Sequence, residues 1–292
     1  MQIKWSIVRF LFLTIFVFVF SANLVLANST DPKPLILGIF PRVDAIETNR
    51  MFQPLAHYLS VVTKRPVILE TSKDFATFWK GVTQKRYDIV HYSQYHYLKS
   101  HKDQGYQVIL KNIEQGHDTI ASAIVVRTDS NIHSIADLKG KTIIFGGDKK
   151  AMQAYVIATY MLRKGGLKAG DYVEKFSKNP PNAVLAVFYR QADAAGAGDL
   201  VLSLPSVIYQ VDVSQLKYLV VGDQLPHLPW AVKGDMDPAL KLKIQEAMLN
   251  LNKTPQGLRI LKKIGFDGFA IATDAEYDRH REIIKEVLGE QY

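Results

Sequence analysis

The chain has 292 residues, a formal charge of +8 and no cysteine, and apolar residues make up 48% of it. A chain this long can bury one or two ordinary cores without disulfides, and anchoring through a lipidated N-terminal cysteine is excluded. Its basic residues are interspersed with acidic ones and form no Lys/Arg run of the kind that tracks nucleic-acid phosphates, so the charge predicts a solvated surface with a modest pull on anions and no nucleic-acid partner.

In chain order, the first element is a leader. Lys4 and Arg9 flank the start of an almost unbroken apolar run from Phe10 to Phe20, followed by SANLVLANST. A basic start, an apolar centre and small residues at Val25 and Ala27 are the layout of a secretory signal peptide spanning residues 1–27, with cleavage expected after Ala27. The competing reading, an uncleaved anchor, requires Ser21 and Asn23 to be tolerated inside a membrane span. Cleavage removes Lys4 and Arg9, which takes the charge from +8 to +6. The mature chain is expected to be a free periplasmic monomer.

From Pro34 onward, short β-rich apolar runs alternate with stretches of helical period, which predicts βαβ units and an α/β fold. Leu35 to Phe40 reads as a strand. Thr48 to Val62 carries Met51, Phe52, Leu55, Ala56, Leu59 and Val62 at the spacing of one helical face. A strand is expected over Val67 to Glu70, then a helix capped by Asp74 that packs Phe75, Phe78, Trp79 and Val82. Tyr87 to Tyr92 is the next strand, and Ser93 is placed to cap a helix through Leu98. Strands follow at Tyr106 to Leu110 and Ala121 to Arg127, a helical turn at Ile135 to Leu138, and a Gly-punctuated strand in LKGKTIIFGG. Ala151 to Lys164 reads as a long helix stopped by Gly165 and Gly166. A helix over Asn182 to Tyr189, a small-residue strand over Ala192 to Gly198 and a segment opening at Pro205 to Tyr209 follow, after which the chain runs through Tyr218 to Val221 and LPHLPWAV into a helix over Pro238 to Leu251.

Several stretches resemble the phosphate/phosphite/phosphonate-type periplasmic substrate-binding proteins of ABC transporters. LGIFPRVDAIETNRMFQPLAHYLS (37–60) is similar to that family's opening strand, Pro-containing loop and F-x-P-L-x-x-Y-L helix. YDIVHYSQYHYLKS (87–100) resembles its D-I-x-x-x-G-P-x-x-Y segment, with Ser93 and Gln94 where Gly and Pro are usual. ASAIVVRTDSNIHSIADLKGKTIIFG (121–146) is the most specific match, and ADAAGAGDLV and LPHLPWAVK follow in the family's order. The resemblance implies a two-lobed type II periplasmic binding protein, with a mixed sheet in each lobe and two crossover strands. Residues 34–118 would form the first part of lobe 1, residues 119–222 lobe 2, and residues 223–292 the return to lobe 1.

The same resemblance points to site residues. Phe40 and Arg42 follow the first strand where relatives contact ligand, and Arg42 could fork onto an oxyanion or stay a solvated loop arginine. Tyr92 and Ser93 match a cleft-facing position, where a hydroxyl and helix-start amides suit an acceptor-rich ligand. The helix start that cradles phosphorus oxygens in relatives carries Lys149, Lys150 and Ala151 in place of Ser and Thr hydroxyls, where an ammonium group could supply charge instead or the lysine pair could be a solvated helix start that opposes the dipole. Asn182 stands where many relatives carry an acidic or His residue, which argues against a cationic amine on the ligand. Asp199 matches a cleft aspartate, or caps the segment that follows.

No metal, cofactor or catalytic residue is expected. His91 and His96 are five apart, GAGDLVL lacks the third glycine of a dinucleotide fingerprint, and LKGKT lacks the upstream glycine of a P-loop. The expected function is capture of a small anionic ligand (phosphonate, phosphate or a related oxyanion) for uptake through an ABC transporter permease. A periplasmic receptor for a membrane histidine kinase is the alternative, and an enzyme on the same fold a third.

Overall fold

The computed structural model describes residues 33–292; the leader read at residues 1–27 lies outside them. Among the described residues no helix is long and apolar enough to cross a membrane.

The chain begins with β1 (Leu35–Ile39), α1 (Ala45–Thr63), β2 (Val67–Glu70), α2 (Phe75–Thr83), β3 (Ile89–His91), α3 (Gln94–Gln104) and β4 (Gln107–Ile113). Next come β5 (Thr119–Ile120), β6 (Ser122–Arg127), β7 (Thr142–Gly146), a π-helical segment (Met152–Ile157) running into α4 (Ala158–Lys164), β8 (Val173–Ser177), α5 (Pro180–Phe188) and β9 (Ala194–Gly198). The remainder is α6 (Pro205–Ile208), β10 (Leu216–Val221), β11 (Leu225–Pro226), β12 (Pro229–Val232), α7 (Pro238–Leu249), α8 (Pro255–Ile264), β13 (Gly268–Ile271) and α9 (Asp278–Leu288).

These strands form two mixed sheets, ordered β13-β4-β12-β3-β1-β2 and β10-β6-β9-β7-β8. In the first, β1 runs parallel to β2 and β3, while β12 and β13 run antiparallel to their neighbours. In the second, β7 is parallel to β8 and β9, and β6 is antiparallel to β9 and β10. The chain passes between the sheets twice, at β5 and β11, and these short strands pair with each other: Leu225 lies opposite Ile120 and Pro226 opposite Thr119. The crossovers therefore form one hydrogen-bonded ribbon at the junction of the sheets.

Strand alternation sorts the core. Ile89 joins the cluster built with Leu55, Leu59 and Trp230, whereas Val90 and Tyr92 face the cluster that holds Phe78 and Tyr106. The helix starts follow local chemistry. Asp44 and Asp74 accept from Glu47 N and Thr77 N, and Asn179 caps α5, which therefore opens at Pro180, two residues before Asn182. α9 packs on both halves: Arg163 donates to the Glu286 and Val287 carbonyls, and just beyond the helix Glu290 accepts from Tyr95 of α3.

The helix expected over Ala151 to Lys164 is where local geometry departs most from the reading. Its first turn is π-helical, with the amides of Tyr155 and Val156 both reaching the Ala151 carbonyl. The cause lies across the sheet: Gly196 on β9 has no side chain, and a Cβ there would sit 2.2 Å from the Ala154 carbonyl oxygen. The bare strand lets the widened turn settle onto the sheet. Such π turns are rare and concentrate at functional sites.

Candidate functional site

Two helix starts lie near the crossover ribbon without side-chain caps. Ser93 is the N-cap of α3, yet its hydroxyl makes no cap bond; it shares a 2.7 Å hydrogen bond with His96 Nδ1 instead. Ala151, at the start of the π segment, has no side chain able to cap. The first amides of a helix have no intrahelical partner, so both termini present N–H donors and a positive dipole end. They flank different sheets, and the charges of Asp148 and Lys150 act on His96. Burial, the larger influence, lowers the His96 pKa to about 4, so its ring is neutral near pH 7.

Around these termini the sequence-predicted residues distribute unevenly. Phe40 is buried and packs edge-on against His91, with ring centres 5.2 Å apart. Arg42 does not stand free: its guanidinium lies 3.3 Å from Glu114, a carboxylate just past the end of β4 whose side chain is only 10% exposed. Tyr92 is turned inward by strand alternation, and its hydroxyl meets Ser100 Oγ at 2.8 Å inside the core, so Ser93 rather than Tyr92 brings a hydroxyl to this end of β3. Lys149 is 65% exposed and lies 3.7 Å from Glu174. Lys150 has its backbone amide held by Asp148 Oδ1. Ala151 closes the turn by donating to the Asp148 carbonyl. Asn182 is exposed in the first turn of α5. Asp199 ties β9 to both crossovers, accepting from Ala121 N at 3.2 Å and from Gln224 Nε2 at 2.7 Å. It caps no helix, since the short turn that follows starts from Leu200.

A model of the family described as "ABC transporter, phosphonate, periplasmic substrate-binding protein" matches residues 37–277. The chain belongs to this family. A curated relative, the phosphonates-binding periplasmic protein of Escherichia coli (strain K12), is 24% identical over 228 residues, which span 74% of this chain and 66% of that protein. Among solved structures, a methylphosphonate complex of a Prochlorococcus marinus (MIT 9301) protein superposes with a TM-score of 0.76 at 18% identity, covering 89% of this chain and all of that one. The binding component of a Pseudomonas aeruginosa phosphonate transporter gives 0.74 at 17% identity, covering 87% and 86% of the two chains. The type II periplasmic binding protein architecture expected from the sequence is the one observed.

This family member also carries a polar cluster at the ribbon that sequence reading missed. Glu114 accepts from Asn112 Nδ2 at 2.8 Å as well as from Arg42, and His227 Nε2 lies 3.9 Å away. Burial alone would raise the Glu114 carboxyl; Arg42, His227 and Asn112 outweigh it and hold its pKa below 4.5. His227 Nδ1 accepts from Leu228 N at 2.8 Å, so the neutral ring carries its proton on Nε2, and burial lowers its pKa to about 4. Gln94 donates to the Pro226 carbonyl at 3.0 Å and leaves its buried Oε1 without a partner among the described residues. The one signal in the sequence was the replacement of the family's Gly-Pro by Ser93-Gln94. Glu114 lies in no motif and His227 lies inside the LPHLPWAVK stretch without marking a site, because the ribbon alone joins them.

The contact between strand and π segment makes a local prediction. Gly196→Ala is expected to cost about 1–3 kcal/mol of stability by forcing the Ala154 backbone outward. Urea denaturation checks this; an unchanged midpoint would mean that the π turn shifts freely.

Proposed function

We propose that the mature chain captures a phosphonate or a closely related oxyanion between its two halves and delivers it to an ABC transporter permease. Residues 34–118 and 223–292 act as one lobe and residues 119–222 as the other, closing about the β5–β11 ribbon by the hinge motion common among binding proteins. The observation that carries the reading is the pair of uncapped helix starts, at Ser93 and at Ala151, in a chain matched by the phosphonate-binding family over residues 37–277. Backbone N–H groups at helix starts receive oxyanions without a dedicated side-chain charge. Lys149 and Lys150 supplement them with positive charge at the edge of the π segment, and the action of Lys150 on His96 supports its side of the cleft.

Arg42 in this account balances Glu114 and tunes the cleft field, leaving the amides to hold the oxygens. Secretion to the periplasm, with the leader removed after Ala27 and the mature protein acting as a monomer, is part of the same proposal.

Methylphosphonate is the first ligand to test by thermal shift on the purified mature protein. At a hundred times its Kd it should add about 2.7 kcal/mol of stability. Changing Lys149 and Lys150 together to alanine should weaken that binding by about 1–3 kcal/mol, the range for charge-assisted hydrogen bonds. No shift with methylphosphonate, phosphite or phosphate would overturn the oxyanion reading.

A further inference from the structure

We propose that the cleft prefers a phosphonate with an aromatic substituent, laid against a wall of rings that adjoins the start of α3. This rests on the phosphonate reading above and specifies the organic group that the reading leaves open. Phe75 opens α2 and Trp79 follows one turn later, which sets both rings on the same helical face. His96 packs against both, stacked with Phe75 at 6.0 Å and 21° and tilted against Trp79 at 5.2 Å. Phe40 meets Phe75 edge-on at 6.1 Å.

Three observations direct this wall toward ligand. His96 is bonded through Nδ1 to Ser93, the cap residue of the helix start that offers its amides, so rings and donors share a side chain. Phe75 is 38% exposed while Phe78, on the same helix, is fully buried; the helical face that the sequence assigns entirely to packing is thus divided, and its first ring is presented to the outside. His96 also feels the charges of Asp148 and Lys150, which brings the start of the π segment within electrostatic reach of the rings. An aryl phosphonate fits both parts at once, with oxygens on the α3 amides and its ring offset-stacked or edge-on to Phe75. A methyl substituent is too short to cover these rings.

The test is calorimetric titration of the mature protein with phenylphosphonate and with methylphosphonate. Phenylphosphonate should bind about tenfold more tightly, the affinity equivalent of one good aromatic pair with its buried area. Phe75→Ala should collapse that ratio towards one, and Phe75→Tyr, which keeps the ring, should preserve it; circular dichroism checks that both variants fold. Methylphosphonate binding as tightly as phenylphosphonate in the unaltered protein overturns the aromatic preference and leaves the phosphonate reading standing. Binding of neither compound overturns both. A ratio that persists in Phe75→Ala removes Phe75 from the site, as expected if its exposed ring serves to dock the transporter instead.

Discussion

Acidification from pH 6.5 towards pH 4 is expected to destabilise and finally unfold the protein, because four buried histidines resist protonation in the folded state. Burial holds His96 and His227 at about 4, His280 at about 3 and His91 well below the ordinary 6.5. Above pH 6.5 these rings are neutral whether the chain is folded or not, and stability is complete. As the pH falls through 6.5 the unfolded chain takes up protons that the folded chain refuses until about 4, so stability is lost across that window. Each such group costs about 1.4 kcal/mol per pH unit, so four together cost roughly 5 kcal/mol for each unit below 6.5, against a total stability on the order of 5–15 kcal/mol. Asp129, held at about 2 by Arg127 and Arg190, adds a loss of the same sign only at lower pH.

Melting temperature measured as a function of pH reads this directly. His280 allows the contribution of one ring to be isolated: it is fully buried, neither nitrogen has a hydrogen-bond partner among the described residues, and it packs against Tyr277 at 5.5 Å. His280→Leu should flatten the pH slope by about a quarter and raise the melting temperature in acid. A melting temperature constant from pH 6.5 down to about 5 would mean that these rings protonate without unfolding the chain.

Trp230→Ala is the substitution expected to destabilise most. Trp230 is fully buried on β12, between β3 and β4, stacked on His91 at 4.4 Å and edge-on to Phe269 at 5.5 Å. Its indole N–H donates to Asn112 Oδ1 at 2.7 Å, and the Asn112 amide in turn holds Glu114. Truncation leaves a large cavity, about 3–5 kcal/mol for a buried aromatic, and deprives Asn112 of its donor. Trp230→Phe keeps the ring packing and loses the hydrogen bond, so it should cost less, about 1–3 kcal/mol. Urea denaturation of both variants checks the order. Because His91 backs Phe40 and Glu114 pairs with Arg42, Trp230→Ala should also weaken ligand binding; a variant that loses less than about 1 kcal/mol would show that the core closes over the gap.

The sequence carried the α/β order and the strand boundaries well where a period and a cap coincided. β2 falls on Val67–Glu70 as read, and Asp74 caps α2 as read, since an N-cap and an alternating apolar run are local facts of the chain. Family motifs located the two helix starts, because backbone donors at a Ser93 or Ala151 turn depend on the local path of the chain. The tertiary structure alone decided which side chains are free to act there. Arg42 and Glu114 are 72 positions apart, and only the fold neutralises one with the other. Tyr92 looked like a hydroxyl donor until the face of β3 turned it towards Ser100. Phe75 and Phe78 are equally apolar letters of one helix, yet packing buries the second and leaves the first exposed. The π turn at Met152–Ile157 likewise depends on Gly196, a partner from another strand. Local sequence determines which backbone groups are left over at a helix end, whereas charge balance, exposure and ring contacts depend on neighbours that only long-range folding brings together.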